Sequence, residues 1–209
     1  MKFNTIHSIE SVIIKEKQSK FIGYAYPINS ELEAKEKIET IKAQHPKATH
    51  HCYAYKLGFD NNNYRANDDG EPNGTAGKPI LNQINCLGLT NCLVIVVRYF
   101  GVTKLGVSGL IDAYKFCAKE TLASTTIDEK EIITTFNFEI TFELTNQIFD
   151  YLNKQKYTYS KTFTESNIQF HIQITKENEN SLINYLEQKF YNFAILKLLL
   201  CKTPILKKE

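Results

Sequence analysis

The stretch CLVIVVRY, residues 92–99, contains the longest apolar run of the chain, from Cys92 to Val97. Most of its apolar residues are β-branched and none of the first six is charged. A strand that is buried on both faces shows this continuous pattern, whereas a half-buried strand alternates. The run is far too short to span a bilayer. We therefore predict a buried central strand, and a glycine-rich segment lies on each side of it along the chain.

The upstream segment reads NDDGEPNGTAGKPI, residues 67–80, and contains three acids, three glycines and two prolines. Such a composition excludes a helix or a strand along its whole length. A strand is predicted before it, at His51–Leu57, and a helix after it, from about Pro79 to Asn85. Pro79 is expected at the first helical position, where its missing N–H is tolerated. The residues alone leave open a surface turn, a metal site or a phosphate cradle.

The downstream segment reads FGVTKLGVSG, residues 100–109, and leads into a helix predicted to end near Ala123. Helix N-termini present unpaired N–H groups and the positive end of the helix dipole, which suit anions. Glycines allow close backbone approach to a ligand, and the lysines and arginine supply positive charge. The candidate residues for binding a ligand, a phosphate or a partner are Asp68, Asp69, Gly70, Glu71, Gly74, Thr75, Gly77, Lys78, Arg98, Tyr99, Gly101, Lys104, Gly106 and Gly109.

Known phosphate and calcium motifs do not fit these segments. A Walker A loop requires Ser or Thr after Gly-Lys, but Pro79 follows Lys78. An EF-hand loop that started at Asp60 would have Tyr64 and Arg65 where an oxygen ligand and a glycine belong. A GxGxxG fingerprint is absent. The sequence therefore indicates neither a nucleotide cofactor nor a calcium loop.

Two histidines and a cysteine lie at the start of the predicted strand at 51–57, and both residue types can bind metals or act in catalysis. His50 and His51 are neighbours, so in a strand they face opposite sides and cannot chelate one ion together. His50 and Cys52 share a face, but no further ligand pair occurs at zinc spacing. Cys52 beside a histidine could be a nucleophile, although nothing nearby in sequence activates it. No catalytic residue, metal site or cofactor is predicted.

Length and composition fit a soluble protein of two domains. The 209 residues are enough for two domains of about 100 residues each, and the net charge is only +2. The five cysteines are scattered, without a CxxC motif, and no signal peptide is recognisable. We expect reduced thiols, a cytoplasmic location and no membrane association.

Hydrophobic periodicity predicts an α+β protein with domains at 1–126 and 127–209. In the first domain, strands are predicted at 8–15 and 21–28, and Ser30 with Glu33 forms a capping box for a helix to about Ala43. In the second, residues 135–144 alternate as a strand, and Thr145 is expected to cap the following helix. Strands near 157–164 and 168–175, a helix at 182–190 and a strand at 193–200 complete a βαββαβ order, which is typical of ferredoxin-like domains.

Two long motifs, NDDGEPNGTAGKPIL (67–81) and VIVVRYFGVTKLGVSGLIDAY (94–114), resemble the signatures of the YigZ/Impact family. The resemblance covers the whole chain, as an Impact N-terminal domain followed by the C-terminal domain of YigZ-like proteins. It implies that the first domain resembles the second domain of a small-subunit ribosomal protein. Together the domains resemble the last two-domain portion of the translocation factor EF-G. Val102, Ser108 and Asp112 depart from the family pattern, where Gly, Gly and Arg are common.

The resemblance implies a non-enzymatic protein that contacts RNA, the ribosome or a translation factor. Its glycine-rich segments would form the contact surface. A protein–protein adaptor without RNA binding is an alternative, since eukaryotic members act through protein contacts. A hydrolase is a further alternative, because some relatives carry peptidase-type labels. It would use Asp68, Asp69 or Glu71 with a metal ion.

Overall fold

The computed structural model describes residues 2–7, 11–59 and 62–190 of the chain. These residues divide into a first unit, Phe3–Glu129, and a second unit formed mainly by residues from Lys130 onward. Within this part of the chain, no helix has both the length and the hydrophobicity that crossing a membrane would require.

The predicted central strand is confirmed as the middle of a five-stranded antiparallel sheet. In chain order, the elements up to Glu131 are β1 (Lys2–Ile6), β2 (Ser11–Glu16), β3 (Ser19–Pro27), α1 (Glu31–Gln44), β4 (His50–Leu57), β5 (Asn63–Asn67), α2 (Gly77–Cys86), β6 (Cys92–Tyr99), α3 (Gly106–Ala123) and β7 (Ile127–Glu131). The large sheet has the order β2-β3-β6-β4-β5, while β1 and β7 form a separate pair.

Helices cover both faces of β6, which explains why its sequence does not alternate. Val94 and Val96 face a core shared with α2 and α3. Ile95 and Val97 face a second core shared with α1. All four side chains are fully buried. An antiparallel sheet usually leaves one face in water, and here the helices on both faces remove that exposure.

The structure confirms the Ser30 cap and moves the start of α2 upstream. Ser30 Oγ accepts a hydrogen bond from Glu33 N at 3.2 Å, and Glu33 Oε2 accepts one from Asn29 N at 2.7 Å. In a capping box the Glu33 carboxylate would accept from the N–H of Ser30, and here it accepts from the N–H of the preceding residue, Asn29. Helix α2 begins at Gly77, so Pro79 is its third residue and not its first. Pro79 still lies in the first turn, where N–H groups have no helical acceptor.

The second unit contains three strands and two helices among the described residues. These are β8 (Ile133–Thr141), α4 (Thr145–Lys154), β9 (Thr158–Phe163), β10 (Asn167–Thr175) and α5 (Glu179–Phe190). Strand β10 lies between β8 and β9 and is antiparallel to both. This order is that of a split β-α-β unit. The predicted strand at 193–200 lies outside the described residues, so the complete ferredoxin-like arrangement stays a prediction.

The predicted boundary between β8 and the next helix was wrong. Strand β8 ends at Thr141, and Phe142–Leu144 forms a short 3-10 turn. Thr145 is the first helical residue of α4, while Leu144 occupies the N-cap position without a side-chain bond. The Thr145 hydroxyl donates back to Thr141 O at 3.4 Å, so it does not accept from the first turn as a cap would.

We predict that Gly101→Ala destabilises the first unit, because a Cβ at this position meets backbone atoms. It would lie 2.4 Å from Gln18 C and 2.6 Å from Ser19 N. The resulting backbone shift should lower the free energy of unfolding by about 1–3 kcal/mol, as overpacking does. Chemical denaturation measures it. Gly109→Ala is the control, because the nearest atom that its added Cβ would meet is the side-chain carbon Cβ of Leu105, at 3.3 Å. Equal stability of the two variants would contradict the prediction.

Candidate functional site

The segment at 67–80 is built from two successive turns that lead into α2. In the first turn, Glu71 N donates to Asp68 O at 2.9 Å, and the central residues Asp69 and Gly70 have φ of +43° and +86°. Two positive φ values define a type I′ turn, for which Asp-Gly is a preferred pair. In the second turn, Thr75 N donates to Pro72 O at 3.0 Å. The glycine-rich composition therefore specifies an ordered backbone path.

The carboxylate of Asp68 occupies the N-terminus of α2. Its Oδ1 accepts hydrogen bonds from Ala76 N at 2.9 Å and Gly77 N at 2.8 Å, and its Oδ2 accepts one from Gly74 N at 2.8 Å. A helix N-terminus attracts anions through these same N–H groups. The place predicted for a phosphate at α2 is therefore taken by a carboxylate of the chain itself.

Asp69 joins this loop to the start of β4. Its Oδ2 accepts a hydrogen bond from His51 N at 2.6 Å, and its backbone O accepts one from His50 Nδ1 at 2.7 Å. His51 Nε2 donates to His45 O at 3.2 Å. Both imidazoles are thus oriented by backbone carbonyls. Among the described residues, no group of three or more His, Cys, Asp or Glu side chains is arranged to hold a metal ion.

Glu71 forms a buried charged cluster with Arg98 and Tyr114. Glu71 Oε1 accepts from Arg98 Nη1 at 2.6 Å and from Tyr114 Oη at 2.8 Å. The Arg98 and Glu71 side chains are each only 4% exposed. The Arg98 Cζ lies 5.5 Å from the ring centroid of Phe21 and 5.2 Å from that of Phe100, within the range of cation–π contacts. The cluster therefore fastens the first loop to the end of β6 and to α3.

Arg98 and Glu71 were predicted as ligand-binding residues, and the structure places them in the interior. Tyr99, the next residue of β6, faces the opposite side of the sheet, where its hydroxyl lies 2.9 Å from His45 Nδ1. Tyr99 is thus separated from the loop cluster by the alternation of the strand. Tyr114 was not predicted. A tyrosine on the buried face of α3 requires a partner for its hydroxyl, but the sequence does not say which one.

The second glycine-rich segment is held at its start and open at its end. Gly101 N donates to Ser19 Oγ at 3.1 Å, and Phe100 N donates to Thr49 Oγ1 at 3.2 Å. Helix α3 then begins without a side-chain cap. Lys104 and Gly106 are exposed beside this helix start. Among the described residues, no side chain is recorded as accepting a hydrogen bond from the first turn of α3, whereas Asp68 does so at α2.

The remaining candidates divide between structural and exposed positions. Thr75 is buried and its Oγ1 donates to Pro72 O at 2.7 Å. Gly77 is buried, and a Cβ there would lie 2.5 Å from Asn67 N, so the turn requires glycine at this approach. Lys78 is exposed in the first turn of α2, and Gly109 lies in the first turn of α3. Lys78 and Lys104 are thus the exposed cations of the predicted set.

Burial makes Cys52 a poor nucleophile. Its Sγ lies 3.0 Å from Asp68 O and 3.3 Å from Tyr114 Oη. Burial raises the pKa of the Cys52 thiol well above its usual range. Burial also raises the pKa values of Cys92 and Cys117 to about 12. Because the thiolate is the reactive form, these three thiols are structural in character.

Comparison with known proteins identifies the family. The family model of the Impact N-terminal domain matches residues 17–122. Impact family member YvyE of Bacillus subtilis is 32% identical over 179 residues, which cover 86% of this chain and 82% of the relative. Impact family member YigZ of Escherichia coli is 36% identical over 131 residues, covering 62% of this chain and 64% of the relative. The chain belongs to the Impact family, which confirms the resemblance of its two motifs.

A solved structure supports the fold along most of the chain. The crystal structure of a hypothetical protein, 26% identical, superimposes with a TM-score of 0.66 and covers 90% of this chain and 92% of its own. The mixed α+β, two-domain class is therefore confirmed. The names of the curated relatives give their family and no enzymatic activity.

We predict that Glu71→Gln strongly destabilises the first unit. The substitution keeps the shape of the side chain but leaves the buried Arg98 charge without its counter-ion. Breaking a buried ion pair from one side costs about 3–5 kcal/mol. Chemical denaturation measures the change. The control is Glu39→Gln, because Glu39 pairs with Lys42 on the surface at 60% and 40% side-chain exposure. Solvent screens that pair, so a loss below about 0.5 kcal/mol is expected. Similar losses in both variants would refute a special role for Glu71.

We predict that Cys86 reacts rapidly with Ellman's reagent at mildly alkaline pH, whereas Cys52, Cys92 and Cys117 react slowly. Cys86 is exposed and the other three thiols are buried. The measurement uses a Cys201→Ser variant, so that these four thiols are counted alone. Adding Cys86→Ser should remove the rapid phase. A rapid phase that instead disappears with Cys52→Ser would revive the hypothesis of a nucleophile.

Proposed function

We propose that this chain is a non-enzymatic binding protein of the translation apparatus that contacts RNA phosphates at the start of α3. The observation that carries the proposal is the contrast between two helix N-termini. Asp68 fills that of α2, whereas α3 begins without a side-chain cap and beside the exposed Lys104. An uncapped helix start with a neighbouring cation is suited to a phosphate.

The buried cluster supports this proposal by holding the surface in place. Glu71 belongs to the first loop, and its partners Arg98 and Tyr114 lie on either side of the second loop along the chain. The two loops are therefore presented as one ordered surface, which lowers the entropy lost on binding. In this proposal Arg98 positions the loops, and Lys104 and Lys78 meet the phosphates.

The hydrogen bonds that the loop acids form within the chain favour a binding protein over a hydrolase. Asp68 is engaged by three backbone N–H groups and Glu71 by a guanidinium and a phenol. These carboxylates therefore help to hold the loops, and among the described residues no group of three or more His, Cys, Asp or Glu side chains is arranged to bind a metal ion. Membership of the Impact family, and the likeness to EF-G that the family resemblance implies, direct the proposal to RNA, the ribosome or a translation factor in the cytoplasm.

A protein–protein adaptor is the second candidate, favoured by apolar exposure on the same loop. Phe100, Val102 and Val107 are 51%, 88% and 59% exposed. Grouped apolar exposure is typical of protein-binding surfaces. Such an adaptor would use these side chains, and Lys104 would only limit non-specific association.

We predict salt-dependent RNA binding that is weaker, and less dependent on salt, in the double variant Lys78→Ala/Lys104→Ala. Each phosphate contact removed should reduce the slope of log affinity against log salt by about one. Fluorescence anisotropy with labelled single-stranded RNA and an RNA hairpin, at low and raised salt, measures this slope. The matched control is Lys35→Ala/Lys47→Ala. Lys35 lies on α1, which covers the other face of the sheet, and both residues are exposed.

An equal effect in the control variant would contradict the assignment of the site. Absence of RNA binding at low salt would overturn the proposal in favour of the adaptor. The adaptor is then tested by a pull-down after nuclease treatment. Capture by the unaltered chain, lost with Val102→Asp, is the expected result for that candidate.

A further inference from the structure

Strand β2 is an edge of the five-stranded sheet and pairs, among the described residues, only with β3. The connecting turn consists of Lys17 and Gln18, both with positive φ (+42° and +68°), as a two-residue type I′ hairpin requires. Such a turn closes on a hydrogen-bonded pair, here Glu16 with Ser19, and bonded pairs then alternate along the ladder. The backbone N–H and C=O groups of Ile14 and Val12 therefore form hydrogen bonds with β3.

The N–H and C=O groups of Lys15, Ile13 and Ser11 consequently point away from β3, toward the open edge. The Ile13 side chain lies on the α1 side of the sheet and is 56% exposed. An edge with free backbone groups accepts a further strand, and only an extended segment offers matching groups. The backbone therefore restricts the conformation of any occupant.

A groove runs beside this edge, between β2 and α3. It encloses a cavity of about 460 Å³, and its apolar lining includes Ile14 from β2 and Ala113 and Phe116 from α3. Phe116 is 48% exposed. The groove and the free edge lie next to each other because Ile14 belongs to both. An added strand would place alternate side chains in the groove.

The charges in the groove favour a basic occupant. Glu16 and Asp112 line it, and Lys17 at the turn is the one cation among the residues that line it. A second copy of this chain would offer its own β2, SVIIKE, whose single lysine is offset by its single glutamate, so that strand brings no net positive charge to the two acids. An extended segment with lysine or arginine among β-branched residues complements them.

We propose that the β2 edge and the β2–α3 groove form a docking site for an extended basic segment of a partner protein, which adds to the sheet as a sixth strand. Main-chain hydrogen bonds to Ile13 and Lys15 hold the segment. Glu16 and Asp112 select its lysine or arginine side chains. The groove also reaches the start of α3 through Leu105, Ser108 and Gly109, so it adjoins the proposed RNA surface. The two proposals differ in the groups they use, because the RNA contact rests on Lys78 and Lys104 and strand addition rests on the β2 backbone.

The test pans a phage-displayed library of random octapeptides on the full chain and measures selected peptides by fluorescence anisotropy. The key variant is Ile13→Pro. It removes an outward N–H and blocks strand addition but leaves the bonds from β2 to β3, because proline is tolerated at edge positions that face solvent. We expect enriched peptides rich in Lys, Arg, Val and Ile. Their affinity should fall about tenfold or more in Ile13→Pro.

Charge reversal provides the second arm. Glu16→Lys/Asp112→Lys should weaken the selected peptides about tenfold and bind analogues in which glutamate replaces their lysine and arginine. Slowed hydrogen exchange of the Ile13 and Lys15 amides in the complex is also expected. Lys35→Ala is the control and should bind the peptides as the unaltered chain does. RNA binding should persist in Ile13→Pro, so failure of one proposal is distinguishable from failure of the other.

Three outcomes would overturn the proposal. The first is that no peptide is enriched on the unaltered chain over Ile13→Pro. The second is enrichment of acidic peptides, which would contradict the charge assignment. The third is a doubled mass by analytical ultracentrifugation that returns to the monomer value in Ile13→Pro, since a second copy would then occupy the edge.

Discussion

The ion pair between Glu71 and Arg98 is the interaction on which the arrangement of both signature loops depends. Each partner is almost fully buried, so each requires the other to offset the loss of hydration. Tyr114 completes the cluster by donating to the same carboxylate oxygen. Glu71 reaches this position because Asp68 fixes the preceding turn and the start of α2 together. One loop acid thus orders the backbone, and the other fastens it to the core.

The acids of the motif NDDGEPNGTAGKPI bond to other groups of the same chain, which changes the interpretation of the motif. Its composition suggests an anion or metal site, because acids, glycines and a lysine meet at a helix start. In the folded chain the acids accept hydrogen bonds from backbone amides and from Arg98, and the Lys78 side chain is exposed to solvent. The motif therefore orders its own backbone and anchors it to the core, whereas its lysine stays exposed.

Strong local patterns made much of the fold predictable. The buried run of β6, the Ser30 cap and the alternation of β8 and β10 were each visible in sequence. The weak strands were not, since β5 reads NYRAN and is almost wholly exposed, and β1 pairs with β7 far along the chain. Their pairing depends on tertiary context. At the site, residue types were informative, but sequence does not reveal whether a carboxylate faces a ligand or its own backbone.

The position of β6 in the chain has a consequence for synthesis. It lies between β3 and β4 in space but follows both in sequence, and it is the last strand of the large sheet to be made. During translation the hairpins β2–β3 and β4–β5 can form before their shared neighbour exists. Each then presents an unpaired inner edge, the kind of surface that drives aggregation of incomplete chains. The nascent protein is therefore most vulnerable until residue 99 has left the ribosome, when β6 closes the gap between the two hairpins.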